Sequence, residues 1–238
     1  MTSSTSTDDA SPQAGAGPSW AIFDVDLTLT TYPTWSAFLR FANEGQPMTQ
    51  ARTVLATARE AVLYKAGRRQ RTDVKVAALQ ASLTGRPREE LEAQARAFTE
   101  RLLESGLRTQ ARAQVQRHLD AGDEVAVATA AVDLLIDPLC DALGIETRLC
   151  TEMAWEDGRL AGHFATPNCY AEEKERRVRD LVSGSDGTLK GFYSDHVSDL
   201  GLLRMATRGV AVNPSPKLRA AAKAHGLVIE DWDQPAPA

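Results

Sequence analysis

Four short apolar runs, WAIFD (20–24), EVAVA (124–128), LKGFYS (189–194) and GVAV (209–212), stop abruptly at polar residues, and a helical pattern follows each. Buried parallel strands read this way, because both sheet faces are covered and polarity returns only where the chain leaves the sheet. The pattern predicts an α/β fold. In an open parallel sheet the ligand crevice lies outside the carboxyl ends of the strands, which would bring Asp24, Thr129 and Asp195 together.

Residues 34–108 break the alternation. Ala51, Val54, Leu55, Ala58 and Val62 fall on one helical face and Leu91, Ala95, Phe98 and Leu102 on another, with turn signals at Gly67 and Gly85. No strand pattern intrudes. The expectation is an all-helical cap with a core of its own over 34–108, inserted after the first strand, with 19–33 and 109–233 forming the α/β core. Within MAWEDGRLAGHF (153–164), Asp157-Gly158 between alternating segments predicts a β-hairpin. The small, polar residues 1–18 and the closing 234–238 read as disordered tails.

Composition removes several functions. A net charge of −5 and a pI near 5.5 argue against broad nucleic-acid binding. The longest suggestive apolar stretch, AVATAAVDLLI, is far short of the roughly 20 residues that cross a bilayer. Cys140, Cys150 and Cys169 are odd in number and lack C-x-x-C spacing, so neither a disulfide framework nor a zinc site is expected, and Cys169 reads as a packed residue. A reduced, cytoplasmic location follows as the expectation.

The segment FDVDLTLT (23–30) ends an apolar run on two aspartates one position apart. Two carboxylates at a buried strand end repel each other unless a cation or a shared proton compensates. Taken alone, Asp24 reads equally well as a strand-end cap. Asp199 reads as the N-cap of a helix carrying Leu200, Leu202 and Leu203, and Lys174, within EEKERR, as part of a solvated face.

Taken together, these residues resemble the haloacid dehalogenase superfamily of phosphatases, in the branch with a helical cap after the first strand that includes phosphoserine phosphatases. Four motifs stand in that family's order: Asp24-Val25-Asp26-Leu27-Thr28, Thr129 after a strand, Lys174 on a helix, and SDHVSD (194–199). The resemblance implies a Rossmann-like parallel sheet with the cap inserted after the first strand. It also implies Mg²⁺ held by Asp24, Asp195 and the backbone carbonyl of Asp26, with Asp24 as nucleophile and Asp26 as acid and base. Thr129, the backbone at Ala130 and Lys174 would bind the phosphoryl group, and Asp199 would be a weak metal ligand or hold Lys174 or a metal-bound water. The sequence departs from the family at Leu27, where a small residue is usual, and at Thr129, where serine is more frequent.

The implied activity is hydrolysis of a small phosphomonoester, phosphoserine-like by resemblance, with no nucleic-acid partner. A phospholipid phosphatase of the phosphatidylglycerophosphatase type is the alternative, disfavoured because Arg52, Arg59, Glu60 and Arg69 interrupt the apolar face of the cap. A phospho-ligand-binding module without turnover is a second alternative, disfavoured by the presence of Asp24, Asp26, Lys174 and Asp195 together. Residues 34–108 hold 13 Lys/Arg against 8 Asp/Glu. The densest basic stretch, KAGRRQR (65–71), is a candidate contact for a second anionic group, and His196 a weaker candidate for touching substrate.

Overall fold

The computed structural model describes residues 17–233. The first strand, β1 (Ser19–Phe23), leads into a tight turn over Val25–Leu29 and then into four helices: α1 (Thr34–Ala42), α2 (Pro47–Lys65), α3 (Arg71–Ser82) and α4 (Arg88–Ser105). Helix α5 (Thr109–Asp120) returns the chain to β2 (Glu124–Val132), followed by α6 (Asp133–Leu143) and β3 (Thr147–Thr151). A hairpin of β4 (Met153–Glu156) and β5 (Arg159–Phe164) precedes α7 (Glu172–Gly184) and β6 (Thr188–Ser194). The chain closes with α8 (Leu200–Met205), β7 (Arg208–Val212), α9 (Pro216–His225) and β8 (Val228–Glu230).

Six strands form one sheet in the order β3-β2-β1-β6-β7-β8, every pair parallel. The order reverses at β1, where the chain has built outward through β2 and β3 and then resumes on the other side with β6. Such a reversal opens a crevice between the loops that leave neighbouring strands in opposite directions. The register fixes what faces it: Phe23 pairs with Val127 on one side and Tyr193 on the other. Asp24, Thr129 and Asp195 therefore lie at the same end of the sheet.

The hairpin forms as its sequence predicts. Asp157 and Gly158 both adopt positive φ, 48° and 72°, as a two-residue turn between twisted strands requires. Tail residues 1–16 and 234–238 lie outside the described residues, but Pro18 is anchored, its carbonyl accepting a hydrogen bond from Thr188 N at 2.9 Å.

Two expectations for the helical insertion are corrected. The first is the separate core: Phe38, Leu79, Leu91, Phe98 and Leu102 belong to one continuous apolar cluster with Phe23, Val127, Ile136 and Tyr193 of the sheet layer. The second is the buried face of α2. Val54, Leu55 and Val62 are 68%, 74% and 66% exposed, and Thr53 is the buried residue of that helix. Helix α2 packs against α3, which leaves its other sides to solvent.

Candidate active site

Asp24 stands at the end of β1, its N–H donating to the Tyr193 carbonyl at 2.9 Å as the last rung toward β6. Its Oδ1 accepts from Lys174 Nζ at 2.9 Å, and the same ammonium donates to Asp199 Oδ2 at 2.7 Å. All three side chains are buried. The solvated-face reading of Lys174 is thereby corrected. The chain bends sharply at Ala171, with φ of 51°, and this turn opens α7 with Lys174 in its first turn, directed inward while Arg176 and Arg179 remain outside. A non-glycine residue at positive φ costs about 1–3 kcal/mol and is tolerated where surroundings enforce it.

Asp199 is held from three sides, accepting from Lys174, from Ser194 Oγ at 2.8 Å and from Ser198 Oγ at 3.2 Å. Thr28 ties the first and fourth motifs. It accepts from Asp195 N at 3.0 Å and makes a long hydrogen bond of 3.4 Å to Asp24 Oδ2.

Asp26 lies where the turn leaves β1. Its Oδ1 accepts from both the N–H and the hydroxyl of Thr34, at 2.8 and 2.7 Å, so the second aspartate caps the first helix of the insertion. Leu27 follows with φ of 64°, which accounts for the small residue usual at this position: glycine takes that conformation without a Cβ clash.

Thr129 does not follow β2 but sits within it. Pairing with β3 jumps from Ala128 opposite Leu149 to Val132 opposite Thr151, so residues 129–131 bulge from the ladder. Bulges of this kind re-aim side chains next to active sites. The Thr129 hydroxyl accepts from Ala131 N at 3.1 Å and keeps its own proton to donate. The Ala130 carbonyl accepts from Thr151 Oγ1 at 3.1 Å and from Lys75 Nζ.

The crevice enclosed by these residues has a volume of about 130 Å³, and Leu27, Pro33, Arg71, Tyr170 and His196 complete its wall. Burial, reinforced by Asp24 and Asp199, pushes Asp195 up to about 7. Burial likewise pushes Asp24 up to about 6, against the lowering pull of Lys174 and with Asp199 adding to the rise. Burial opposes the charge on Lys174, yet Asp199 and Asp24 outweigh it and hold the ammonium above the usual lysine range. Lys174 and Arg71 face four carboxylates, Asp24, Asp26, Asp195 and Asp199, so acidic groups outnumber basic ones in the crevice. Among the described residues no three His, Cys, Asp or Glu side chains form a metal cluster. The hard oxygen donors that line the crevice, the Asp24 and Asp195 carboxylates and the carbonyl of Asp26, are of the chemical type that could hold a magnesium ion that keeps several waters. Burial is the main cause of the raised proton affinity of both carboxylates, and a cation between them would favour their charged forms.

Several participants escaped the sequence. Lys75 reaches across from α3 and also donates to Asn168 Oδ1 at 3.0 Å; burial lowers it to about 8, with Asp26 pulling the other way. A lysine inside the apolar run VKVAAL was the available signal. Of the KAGRRQR segment, Arg71 enters the crevice, its guanidinium 4.4 Å over the Tyr170 ring, whereas Arg69 pairs with Glu60 at 3.1 Å and Arg68 lies on an outer surface around Gly67. His196 lines the crevice too. Its Nδ1 accepts from Ser198 N, which places the ring proton on Nε2, and burial and Arg71 lower its pKa. Cys169 is packed, as expected, its thiol donating to the Leu149 carbonyl and burial raising it to about 11.

Residues 21–204 match the family model described as haloacid dehalogenase-like hydrolase, and the chain belongs to that family. It is 34% identical over 121 residues to a histidinol-phosphatase from Neisseria meningitidis, covering 48% of this chain and 54% of that protein. A Bordetella pertussis protein of unknown function superposes with a TM-score of 0.75 at 29% identity, over 91% of this chain and 99% of the other. A phosphoserine phosphatase solved as a phospho-aspartyl intermediate analogue shares the fold, with a TM-score of 0.60 at 17% identity over 86% and 90% of the two chains. Among the described residues no helix is long and apolar enough to cross a membrane.

Proposed function

We propose that the protein is a Mg²⁺-dependent phosphatase that hydrolyses a small phosphomonoester metabolite through an aspartyl-phosphate on Asp24. The observation that carries this reading is the ammonium of Lys174 shared between Asp24 and Asp199 at 2.9 and 2.7 Å, in a crevice that also holds Asp26, Thr129 and Asp195.

Asp24 attacks phosphorus, the bond to the leaving oxygen breaks, and Asp26 protonates that oxygen. Asp26 then takes a proton from the water that attacks the aspartyl-phosphate, and the bond from phosphorus to Asp24 breaks to release phosphate. Thr34 holds one oxygen of Asp26, which fixes the direction of the carboxylate through both half-reactions. The Thr129 hydroxyl and the Ala130 N–H hold phosphoryl oxygens, and Lys174 offsets their charge. A magnesium ion bound by Asp24, Asp195 and the Asp26 carbonyl would neutralise charge at the pentacoordinate phosphorus. Asp199 serves by fixing Lys174. Arg71 is the member of the basic segment placed to meet a second anionic group, and residues 34–108 act as the cap over this crevice.

The test is Asp24→Asn, assayed with Mg²⁺ on phosphoserine, histidinol phosphate and p-nitrophenyl phosphate. The expected outcome is a folded protein without turnover, because the amide lacks the attacking charge. Wild-type-like hydrolysis by this variant would overturn the mechanism. Asp26→Asn should lose far more kcat on the alkyl esters than on p-nitrophenyl phosphate, whose leaving group scarcely needs a proton. Excess EDTA should abolish wild-type turnover and Mg²⁺ restore it.

A further inference from the structure

Lys75 stands half-buried on α3, and its ammonium crosses to the sheet to meet two neutral acceptors, the Ala130 carbonyl and, at 3.0 Å, Asn168 Oδ1. Burial lowers it only to about 8, with Asp26 pulling the other way, so it stays mostly charged at neutral pH. A cation drawn out of water onto neutral acceptors carries a desolvation cost that a carboxylate partner would offset better. The Ala130 carbonyl does not require it, because the same oxygen also accepts from Thr151 Oγ1 at 3.1 Å.

What the ammonium touches lies one peptide away from the phosphoryl cradle. The peptide joining Ala130 to Ala131 has its carbonyl bound by Lys75, and its N–H, that of Ala131, donates to the Thr129 hydroxyl at 3.1 Å. That hydroxyl keeps its own proton to give, and Thr129 lines the crevice with Asp24 and Lys174. Hydrogen bonds arranged head to tail polarise one another. A positive charge at the carbonyl end makes the peptide N–H a stronger donor, which draws density from the threonine oxygen and makes its proton a stronger donor in turn.

We propose that Lys75 is a positioning residue for catalysis, acting through the peptide between Ala130 and Ala131 to strengthen the hydrogen bond that Thr129 donates to the phosphoryl group. The inference rests on the phosphatase reading and deepens it, since this bond counts most where charge is spread over the equatorial oxygens of the transition state. Lys75 belongs to the insertion and Thr129 to the sheet, so the relay is complete only while α3 is seated over the bulge at 129–131. That seating has its own fastening: Gln80 Nε2, also on α3, donates to the Gly162 carbonyl at 2.8 Å. Removing the Lys75 ammonium therefore takes away the charge without releasing the helix.

The first measurement needs no substrate. In isotope-labelled, ligand-free protein the Ala131 amide proton should move upfield in Lys75→Met, as a weakened hydrogen bond requires, and return toward its wild-type position in Lys75→Arg, which keeps the charge. The second is hydrolysis of p-nitrophenyl phosphate with Mg²⁺. Losing a preorganised donor to transition-state charge costs about 10²–10³-fold in kcat, and polarisation contributes about 10–30% per bond, so Lys75→Met should lower kcat about 2- to 8-fold with KM little changed. Lys75→Arg should recover most of that loss. In a Thr129→Val background the same Lys75→Met substitution should cost nothing further, because the hydroxyl through which it acts is gone; in Thr129→Ser the effect should persist. Equal losses from Lys75→Met in all three backgrounds, as a merely structural role predicts, would overturn the proposal. So would an unmoved Ala131 amide proton, or a wild-type kcat in Lys75→Met. A shifted amide proton in a protein that hydrolyses no phosphomonoester would instead sink the phosphatase reading and leave the polarised Thr129 hydroxyl standing.

Discussion

Helices α2 and α4 present equally regular apolar stripes in sequence, and the fold treats them in opposite ways. The α4 stripe is covered: Leu91, Ala95, Phe98 and Leu102 are at most 3% exposed, with α1 and α6 packed against the helix. The α2 stripe is open, Val54, Leu55 and Val62 standing about two-thirds exposed or more. A helical period states which residues share a face, but whether anything covers that face is decided by topology. Helix α4 is buried against α6 and α1. Helix α2 packs mainly on α3, and part of its surface lines an open cleft between α1, α2 and α3.

The largest expected effect falls on the covered helix. Phe98 packs edge-on against Phe38, ring centroids 5.6 Å apart, inside the cluster shared with the sheet. Phe98→Ala should cost about 3–5 kcal/mol, the usual range for removing a buried aromatic ring. Because the cluster is continuous, urea unfolding should shift as one transition. Two transitions, with only the earlier one moved, would show that the cap has an independent core after all.

The contrast marks where sequence was readable. Central strands β1, β2, β6 and β7 were legible as uninterrupted apolar runs because both their faces are covered. The two edge strands, β3 (TRLCT) and β8 (VIE), gave no such signal, since an edge strand is short and tolerates polar residues. The carboxylates were legible as strand-end residues, and Asp157-Gly158 as a turn. Lys174 was obscured by its neighbours: five of the six residues in EEKERR do lie on accessible sides, and only the ion pair with Asp24 and Asp199, 150 and 25 positions distant, sets it apart. The Lys75 bond to Ala130 joins the insertion to the crevice across 55 positions, and no local pattern encodes a contact between elements so separated. The bulge at 129–131 was hidden for a related reason, because it depends on the register of β3.

Leu27 extends the comparison to the crevice, being a third kind of apolar residue, exposed at 37% and held at φ of 64°. Its conformation costs about 1–2 kcal/mol relative to an unstrained residue. Leu27→Gly should relieve that strain, lose little burial and add about 0.5–1 kcal/mol of unfolded-chain entropy to the cost of folding. The net expectation is a change between no effect and a gain of about 1.5 kcal/mol in denaturant unfolding. A loss exceeding about 1 kcal/mol would mean that the leucine side chain packs against something in solution, and would place Leu27 with the covered stripe of α4 rather than the open one of α2.

The smallest effect is expected on α2 itself. Leu55→Ala removes a side chain that is 74% exposed, and substitutions on an uncovered surface usually stay within about 0.5 kcal/mol of wild type. The value of so small a change is that it discriminates. If a second copy of the chain covers this face in solution, the truncation deletes buried apolar area and costs on the order of 1–2 kcal/mol. The melting temperature of the wild-type protein would then rise with protein concentration, as mass action requires of any stabilising partner. Denaturant unfolding of Leu55→Ala, paired with wild-type melting across a hundredfold concentration range, separates the cases. A flat melting temperature with a near-zero loss means that α2 is open in the protein alone. A concentration-dependent melting temperature with a loss like that of a buried residue means that the two stripes differ in their partners and not in their burial.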